Sequence, residues 1–403
     1  MARYIIRKLH LITRQMMAKE LGVRDSIKLD NFERLYRQHP FVLKVIVKRG
    51  EISRGLLSVF SLRGFPCWIR DEGRFYLFGS EPAFREWSRL QSYALSEEEI
   101  FIESLRQFLI RQARTQFEMV HEQYILNFGG PTRIMGILNT TPDSFFDGGR
   151  YADTKAAIER GLALEADGAD MIDVGGESTR PGAEPVSEAD EMARVVPVIE
   201  GLARDLQIPI SVDTYKAAVA EAAIQAGATM VNDVSALQMD PHMAEVVAHY
   251  QVPVILMHMK GRPRDMQKNP TYDDLMDELI LFFEDRLQYA ESVGIRPDRI
   301  IVDPGIGFGK RLWDNYEILQ RLPEFRCLGC PILVGPSRKS FIGQVLNLKP
   351  DERLEGTAAA VAACAAHGAE IVRVHDVKEM LRVVQIADLI FGNLDFHEQE
   401  TNP

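Results

Sequence analysis

Polar and charged side chains follow a series of short apolar runs in the last two thirds of the chain. Six of them form two chemical sets: acceptors that suit the N–H groups of a flat heterocycle, and donors that suit phosphate oxygens. They are Asp213, Asn232 and Asp303 in the first set and Arg180, Arg373 and His375 in the second. Together they predict a site that binds an amino-substituted ring at one end and a diphosphate at the other.

Asn139, at the end of another apolar run, carries a neutral amide oxygen. Mg²⁺ prefers oxygen ligands, keeps several of its waters and bridges to substrate phosphates, so Asn139 is the candidate metal ligand. Cys327 and Cys330 form a single Cys-x-x-Cys pair with no second pair and no histidine nearby, so we expect no zinc site there. The sequence contains neither a Ser-His-Asp order nor a His-Glu-x-x-His motif.

The glycine-rich stretch over 305–310 reads Gly-Ile-Gly-Phe-Gly-Lys. A nucleotide-binding fingerprint needs more than alternating glycines, because a helix must open directly after it and an acidic residue must follow. We therefore interpret this stretch as a tight loop beside a ligand.

Eight apolar or β-branched runs supply the elements that must position these side chains. They span 133–138, 170–174, 209–213, 229–232, 253–258, 299–303, 331–335 and 370–375. Helical segments separate them, and several of these end in a glycine, a common helix C-cap. Eight such units predict a TIM (β/α)₈ barrel, an α/β fold; an open doubly wound sheet is the alternative.

Active sites of such barrels lie at the carboxyl ends of the strands, so one rim would collect a polar group from every unit. Each group alone has a structural explanation, since an Asp after a strand often caps a helix and a single His is often a core residue. Eight structural explanations at one rim are harder to accept than one binding site.

The first part of the chain has a different character. Residues 1–130 carry a net charge of roughly +6 and the remainder roughly −17, an asymmetry that can mark a domain boundary. We expect a small α+β extension over 1–128, the barrel over 129–395 and a flexible tail over 396–403. Within the extension we expect strands at 4–11, 41–47, 67–70 and 74–78, helical segments at 16–21 and 84–90, and a helix from 96 to about 123. A loop should follow at 127–131.

Composition narrows the class of protein. The net charge of −11 argues against a general nucleic-acid binder. The four cysteines suit a reducing compartment, and the N-terminus shows no signal peptide or membrane span. We therefore expect a cytoplasmic protein without nucleic-acid or membrane partners.

Two long motifs carry a resemblance to a known family. They are M-G-I-L-N-T-T-P-D-S-F-F-D-G-G over 135–149 and I-D-V-G-G-E-S-T-R-P-G over 172–182. Both resemble signatures of dihydropteroate synthases, and shorter motifs follow in the family's order across 131–393. Thr140, Phe146 and the segment 260–263 depart slightly from the usual pattern, and the N-terminal extension is the largest departure.

The resemblance implies a reaction: 6-hydroxymethyl-7,8-dihydropterin pyrophosphate and 4-aminobenzoate condense to 7,8-dihydropteroate and pyrophosphate, with Mg²⁺, in a homodimer formed through barrel helices. It also implies residue roles. The pterin would be held by Asp213, Asn232, Met257, Asp303 and Lys339; the aminobenzoate by Thr179, Pro181, Phe308, Lys339 and Ser340; the pyrophosphate by Asn139, Arg180, Arg373 and His375, with Asn139 on the metal. The catalytic group would comprise Asp213, Lys339, Arg180 and Asp147.

Two alternatives remain at this point. A pterin-dependent methyltransferase would share the barrel and the pterin-binding acids but would need neither diphosphate nor aminobenzoate contacts. A non-catalytic pterin-binding protein would be expected to have lost site residues, and none is lost here. The N-terminal extension is either a structural or dimer-supporting appendage or a module that binds a partner.

Overall fold

The computed structural model describes residues 3–11, 13–22, 25–39, 41–48, 50–90, 96–121, 123–141, 150–178 and 182–393. The chain forms two compact units. The first comprises residues 1–114 together with 323–329, and the second comprises residues 115–322 together with 330–403. The expected domain boundary after residue 128 stays a prediction, and the expected tail at 396–403 lies outside the described residues.

The first unit is an antiparallel sheet with helices, which confirms the predicted α+β class. Its elements are β1 (Tyr4–Lys8), α1 (Arg14–Leu21), α2 (Ser26–Gln38), β2 (Phe41–Val47), α3 (Arg54–Leu62), β3 (Cys67–Asp71), β4 (Arg74–Gly79), α4 (Glu81–Arg89) and α5 (Ser96–Ala113). The strand order is β1-β2-β4-β3. Helices α2 and α3 were not predicted from the sequence.

Successive side chains along the strands of this sheet point to opposite faces, and each face forms an apolar layer. Val42 of β2 and its cross-strand partner Phe78 pack with residues of α1 and α2. Phe75, on the other face of β4, meets Phe60 of α3 and Phe101 of α5. Both faces are therefore covered, which explains why every residue of β2 is buried.

The second unit contains a parallel (β/α)₈ barrel. Its elements are β5 (Phe117–Val120), β6 (Ile125–Phe128), β7 (Arg133–Asn139), α6 (Arg150–Ala166), β8 (Met171–Gly175), α7 (Glu188–Asp205), β9 (Ile210–Asp213), α8 (Ala217–Gln225), β10 (Met230–Asp233), α9 (Met243–Tyr250), β11 (Val254–Met257), α10 (Leu275–Ser292), β12 (Ile300–Asp303), α11 (Leu312–Gln320), β13 (Leu333–Val334), α12 (Ser340–Leu346), α13 (Leu354–Ala366), β14 (Ile371–Val374) and α14 (Val377–Phe391).

The barrel strands pair in the order β12-β11-β10-β9-β8-β7-β14-β13. A parallel bridge between Val302 and Ile332 joins the two ends of this sheet. The eight predicted strands are thus confirmed within a few residues, and the closure favours the barrel over an open sheet. Among the described residues no helix is long and apolar enough to cross a membrane.

One expectation near the unit boundary is wrong. Helix α5 ends at Ala113 rather than near residue 123, and β5 and β6 form an antiparallel hairpin over 117–128 in place of a helix and a loop. The alternate side chains of this hairpin pack against residues at the beginnings of the barrel strands. The cluster comprises Phe117, Met119, Leu126, Phe128, Met135, Met171, Met230, Ile255, Ile301, Leu333 and Ile371. The hairpin therefore closes the amino-terminal end of the barrel, opposite the polar rim.

Candidate active site

Arg373 of β14 is the centre of an ion-pair network at the mouth of the barrel. Its Nε donates to Asp173 Oδ2 at 2.6 Å, and its Nη2 donates to Asp213 Oδ2 at 2.8 Å. Asn232 Nδ2 donates to the same oxygen of Asp173, at 2.8 Å. Strands β14, β8, β9 and β10 each contribute one side chain, so the network connects elements up to 200 residues apart.

Asp173 is a member of this site that the sequence interpretation did not single out. Its side chain is completely buried, and its Oδ1 is buried without a hydrogen-bond partner among the described residues. A buried acceptor of this kind is usually satisfied by a ligand or an ordered water. The only signal in the sequence was its place in the motif over 172–182, next to residues that were assigned roles.

Burial weakens two of the carboxylic acids at the rim. It raises the pKa of Asp213 to about 7, although the neighbouring Arg373 opposes the shift. It raises the pKa of Asp303 to about 6, opposed by the N–H of Gly305, which donates to Asp303 Oδ1 at 2.7 Å. Both carboxyls therefore change protonation state near neutral pH. A small change in the surroundings of either group decides whether it is ionised or protonated.

A buried lysine connects the glycine-rich loop after β12 to the end of β11 through hydrogen bonds. Lys310 Nζ lies 2.9 Å from His258 Nδ1 and donates to the carbonyls of His258 and Phe308 at 3.2 and 3.0 Å. Burial lowers the pKa of Lys310 to about 7 and that of His258 below its ordinary value. His258, the last residue of the predicted strand over 253–258, is thus part of a loop anchor, and Lys310 is a positioning residue that the sequence interpretation missed.

Gly305 shows how closely these two loops approach. Its φ is +69°, and a Cβ there would overlap the carbonyl oxygen of His258. We expect Gly305→Ala to reduce the free energy of unfolding by about 3 kcal/mol or more, because backbone strain and steric overlap add. Urea denaturation followed by circular dichroism measures the loss.

Gly294→Ala is the matched control, because Gly294 has φ +94° but no heavy atom within 4 Å of the added Cβ. Its cost should be limited to the backbone strain, about 1–2 kcal/mol. If the two variants lose the same free energy of unfolding, the close approach of Gly305 to the carbonyl oxygen of His258 is contradicted.

Phe308 brings two predicted pterin contacts into one apolar wall. Its ring packs in a buried cluster with Met257, and Lys339 Nζ lies 4.2 Å from the ring centroid. Gly307 permits this arrangement, because a Cβ there would lie 3.3 Å from Lys339 Cδ. The strand end at Met257, the loop after β12 and the loop after β13 therefore converge.

His375 follows β14 and lies against the loop after β13. Its Nδ1 is 3.0 Å from the hydroxyl of Ser337. Burial, together with Arg373 and Arg338, lowers its pKa to about 3, so the imidazole is neutral at physiological pH. It can offer an anion a hydrogen bond but not a charge. Ser340 begins α12 one residue after Lys339.

Asn139 and Asp213 lie on either side of Gly175. A Cβ on this glycine would lie 3.9 Å from Asn139 Oδ1 and 3.6 Å from Asp213 Oδ2, so its absence leaves room between the two groups. No cluster of three or more metal-binding His, Cys, Asp or Glu side chains occurs in the part of the chain that the structure describes. A single amide oxygen nevertheless fits Mg²⁺, which takes most of its ligands from water and phosphate.

Four predicted site residues, Asp147, Thr179, Arg180 and Pro181, lie outside the described residues. The segment that leads to the last three is well anchored at Glu177. Lys216 Nζ contacts both Glu177 and the buried Glu191 at 2.5 Å, and Tyr215 donates to Glu177 at 3.0 Å.

Comparison with known proteins agrees with this geometry. A sequence model of the family described as "Pterin binding enzyme" matches residues 135–375. The dihydropteroate synthase of Synechocystis sp. is 47% identical over 270 residues, which cover 67% of this chain and 93% of that protein.

Two solved structures extend the comparison. The dihydropteroate synthase of Xanthomonas albilineans with 4-aminobenzoic acid is 44% identical, with a TM-score of 0.65, covering 68% of this chain and 98% of that one. The enzyme of Clostridium difficile, in the presence of pteroic acid, is 48% identical with a TM-score of 0.62, covering 66% and 98%.

A closed barrel whose rim carries buried acids, an amide and a guanidinium, and which matches that family model over most of its length, is a pterin-binding enzyme. Within this class, the chain belongs to the dihydropteroate synthase family, the transferases of folate biosynthesis.

Proposed function

We propose that the chain joins 6-hydroxymethyl-7,8-dihydropterin pyrophosphate to 4-aminobenzoate, giving 7,8-dihydropteroate and pyrophosphate. The observation that carries the proposal is the network in which Arg373 holds Asp213 and Asp173 at the ends of three strands. It presents carboxylate oxygens to a ring and a guanidinium to an anion within one site. The names of the related structures, which mention 4-aminobenzoic acid and pteroic acid, support the same pair of substrates.

The pterin would bind where the acceptors converge. Asp213, Asn232 and Asp303 end neighbouring strands β9, β10 and β12, with β11 between the last two. Their oxygens suit the several N–H groups on one edge of a pterin. Met257, at the end of β11, would lie against the ring face, and Lys339 would contact its edge.

The aminobenzoate would bind beside the loops after β8, β12 and β13. Phe308, Lys339 and Ser340 are the described residues of this group. The proximity of Lys339 to Phe308 supports a shared wall between the two substrates. Thr179 and Pro181 complete the group on the strength of the family resemblance.

The pyrophosphate would lie toward Asn139, Arg373 and His375, with Arg180 added by resemblance. Arg373 supplies charge and His375 a neutral hydrogen bond. Asn139 would hold Mg²⁺, which when bound would neutralise charge that develops on the departing diphosphate. Arg373 would neutralise part of the same charge. Because two carboxylates already hold its guanidinium in place, the side chain needs little reorganisation during the reaction.

In the proposed reaction the bond between the pterin methylene carbon and the diphosphate oxygen breaks, and its electron pair leaves with the pyrophosphate. The arylamine nitrogen forms a bond to that carbon and loses one proton to solvent or to the departing pyrophosphate. The carbon becomes cationic, and the ionised Asp213 beside the ring would stabilise it. An aromatic amine is already unprotonated near neutral pH, so no strong base is required. By the family resemblance Asp147 and Arg180 would complete the catalytic group, and a site that excludes water would protect the cation from capture.

Pyrophosphate release tests the proposal most directly. The purified chain should release pyrophosphate only when the pterin pyrophosphate, 4-aminobenzoate and Mg²⁺ are all present, with dihydropteroate as the second product. Release that does not require 4-aminobenzoate would contradict the proposal, and so would pterin binding without release. Either result would favour a pterin-dependent methyltransferase or a non-catalytic pterin-binding protein.

We also propose a homodimer in the cytoplasm. One face of α14 exposes Ile386, Ile390 and Phe391, which are 55–68% exposed and lie at helical spacing. Exposed apolar groups on one helix face are typical of a subunit interface. Sedimentation equilibrium would show a mass of twice the chain, and a monomer at micromolar concentration would contradict the proposal.

A further inference from the structure

Asp173 connects the two halves of the candidate site through one oxygen atom. Its Oδ2 accepts hydrogen bonds from Asn232 Nδ2 at 2.8 Å and from Arg373 Nε at 2.6 Å. Asn232 belongs to the proposed pterin group and Arg373 to the proposed pyrophosphate group. The side chain of Asp173 is completely buried, so bulk water does not compete for these two bonds.

The bond to Asp173 fixes the orientation of the Asn232 amide. An amide group carries an oxygen acceptor on one side and an N–H₂ donor on the other, and the two sides have nearly the same shape. A carboxylate oxygen attracts the N–H₂ side and repels the oxygen. With Nδ2 held at Asp173, Asn232 Oδ1 must point away from that residue.

The oxygen side of this amide lies in the interior of the barrel, beside Asp213. Asn232 and Asp213 are register partners on adjacent parallel strands, and register partners point to the same face of a sheet. Asp213 faces the interior, where it accepts a hydrogen bond from Arg373. Of the residues that the structure describes, none donates a hydrogen bond to Asn232 Oδ1. This oxygen is therefore available to accept an N–H group of a bound ring.

We propose that Asp173 is a specificity-determining positioning residue: it holds Asn232 Nδ2 so that the site presents an acceptor and selects a ring with an amino edge over one with a carbonyl edge. Asp173 acts through Asn232 rather than on the ring. The inference rests on the proposed function, in which Asn232 binds the pterin. A carboxyl group at the base of the site thus decides which ring is accepted above it.

Two ring ligands without phosphate separate this role from others in the site. Pterin carries an amino group between the nitrogens of its pyrimidine ring, whereas lumazine is the same bicycle with a carbonyl there, which reverses donor and acceptor along that edge. Neither contains a phosphate, so a change at Arg373 alters the affinity for both alike. A site built to accept N–H groups rejects an analogue that lacks them, so the parent should bind pterin at least about 100-fold more tightly than lumazine. Fluorescence titration measures both dissociation constants.

Asp173→Leu removes the acceptor and allows the amide of Asn232 to turn over. The ratio of the lumazine to the pterin dissociation constant should fall at least about tenfold, because a turned amide donates to the carbonyl and no longer accepts the amino group. Asp173→Ala removes the same acceptor without added bulk and replaces the Leu variant if that chain does not fold.

Asp173→Asn is the conservative variant and should keep most of the ratio, since its amide oxygen can take the place of Oδ2. Its amide nitrogen would then take the place of Asp173 Oδ1. That atom and the hydroxyl oxygen of Ser211, the register partner of Asp173 on β9, are both buried without hydrogen-bond partners among the described residues. The exchange therefore breaks no bond to the protein.

Asp388→Asn is the matched control, because Asp388 is a buried acid that accepts two hydrogen bonds from Thr132, ahead of β7 at the amino-terminal end of the barrel. Its ratio should equal that of the parent. If Asp173→Leu weakens the binding of both ligands by the same factor, Asp173 is only structural and the proposal is wrong. A crystal structure of the parent with pterin in which Asn232 no longer contacts Asp173 would also overturn it.

The same titrations distinguish failure of the inference from failure of the proposed function. A parent chain without preference for pterin would overturn the pterin assignment and the inference together. A preference that is present in the parent and lost in Asp173→Leu, in a chain that releases no pyrophosphate, would confirm the inference and contradict only the proposed reaction.

Discussion

Asp213→Asn should lower kcat/KM for the pterin pyrophosphate by about 10²–10³, the range found when one preorganised charge-stabilising group is removed. The amide keeps the shape of the carboxyl but replaces an acceptor by an N–H₂ group. Arg373 Nη2, which donates to Asp213 Oδ2 at 2.8 Å, would then face a weaker acceptor or a second donor. The negative charge beside the developing carbocation would be lost at the same time. Steady-state kinetics at pH 8, where the parent carboxyl is ionised, measures the effect.

The pH dependence of kcat/KM in the parent enzyme tests the same role of Asp213. Because burial raises the pKa of Asp213 to about 7, the free enzyme below that pH holds a protonated carboxyl. The ionised fraction rises with pH, so kcat/KM should increase up to about pH 7 and level off above it. In the Asn variant this limb should disappear, leaving one near pH 6 from Asp303.

Asp298→Asn is the control, because Asp298 is a partly exposed residue paired with Arg296 outside the site; its kinetics should match the parent. A full catalytic rate in Asp213→Asn, or an unchanged pH profile, would show that Asp213 does not stabilise the cation.

Arg373→Met should combine a large loss of activity with a large loss of stability. The variant removes the proposed pyrophosphate ligand, and kcat/KM should fall by about 10³. It also leaves Asp173, which is fully buried, and Asp213 without their cationic partner. Breaking a buried ion pair from one side costs about 3–5 kcal/mol, which urea denaturation of parent and variant would measure.

The loss of stability should depend on pH in a defined direction. The guanidinium lowers the pKa of Asp213 against the effect of burial, so its removal raises that pKa further above the unfolded value. An acid whose pKa is higher in the folded state binds protons on folding, and its contribution to stability falls as pH rises from the unfolded to the folded pKa. Arg373→Met should therefore be destabilised more at pH 8 than at pH 5.

Arg373→Lys separates charge from geometry, since lysine keeps the charge but cannot bridge two carboxylates with a planar fork. It should recover part of the stability and little of the activity. Arg204→Met, an exposed change on α7, should leave both at the level of the parent. An Arg373→Met chain as stable as the parent would show that the two acids find other partners.

The barrel could be predicted from the sequence because its signals are local. Each strand is a short apolar run, and the glycines at 168, 227 and 368 adopt positive φ directly after helices, as a glycine C-cap requires. The polar rim followed from the rule that strand ends converge. The fold of the barrel, and the rim at which its polar side chains gather, were therefore predictable without any long-range information.

The hairpin over 117–128 was not predictable in this way. Its inward side chains alternate, as in Phe117 and Met119, but each strand has only four residues. Such short alternation is compatible with the end of a helix that begins at Ser96. What selects the hairpin is the apolar floor made by the first residues of the barrel strands, a long-range partner that the local pattern does not reveal.

Asp173 and Lys310 escaped prediction for a related reason. The role of a charged residue inside a strand, or after a glycine-rich loop, depends on the residue with which it pairs. Asp173 is paired with a residue 200 positions away, and Lys310 with one 52 positions away. Residue type and spacing identify groups at strand ends, whereas buried pairs between distant elements appear only in the folded chain.

The late segment of the first unit, residues 323–329, has a consequence for biosynthesis. A ribosome adds about 5–20 residues each second, so roughly 10–40 s separate the emergence of Arg114 from that of Glu324. During this interval Arg7 of β1 lacks its ion pair with Glu324, and the nascent N-terminal region lacks the buried side chains of Glu324 and Phe325. Domains usually fold as units in the order of their synthesis, but this one can finish only when most of the barrel has already been translated. The extension is therefore first in the chain and among the last parts to mature.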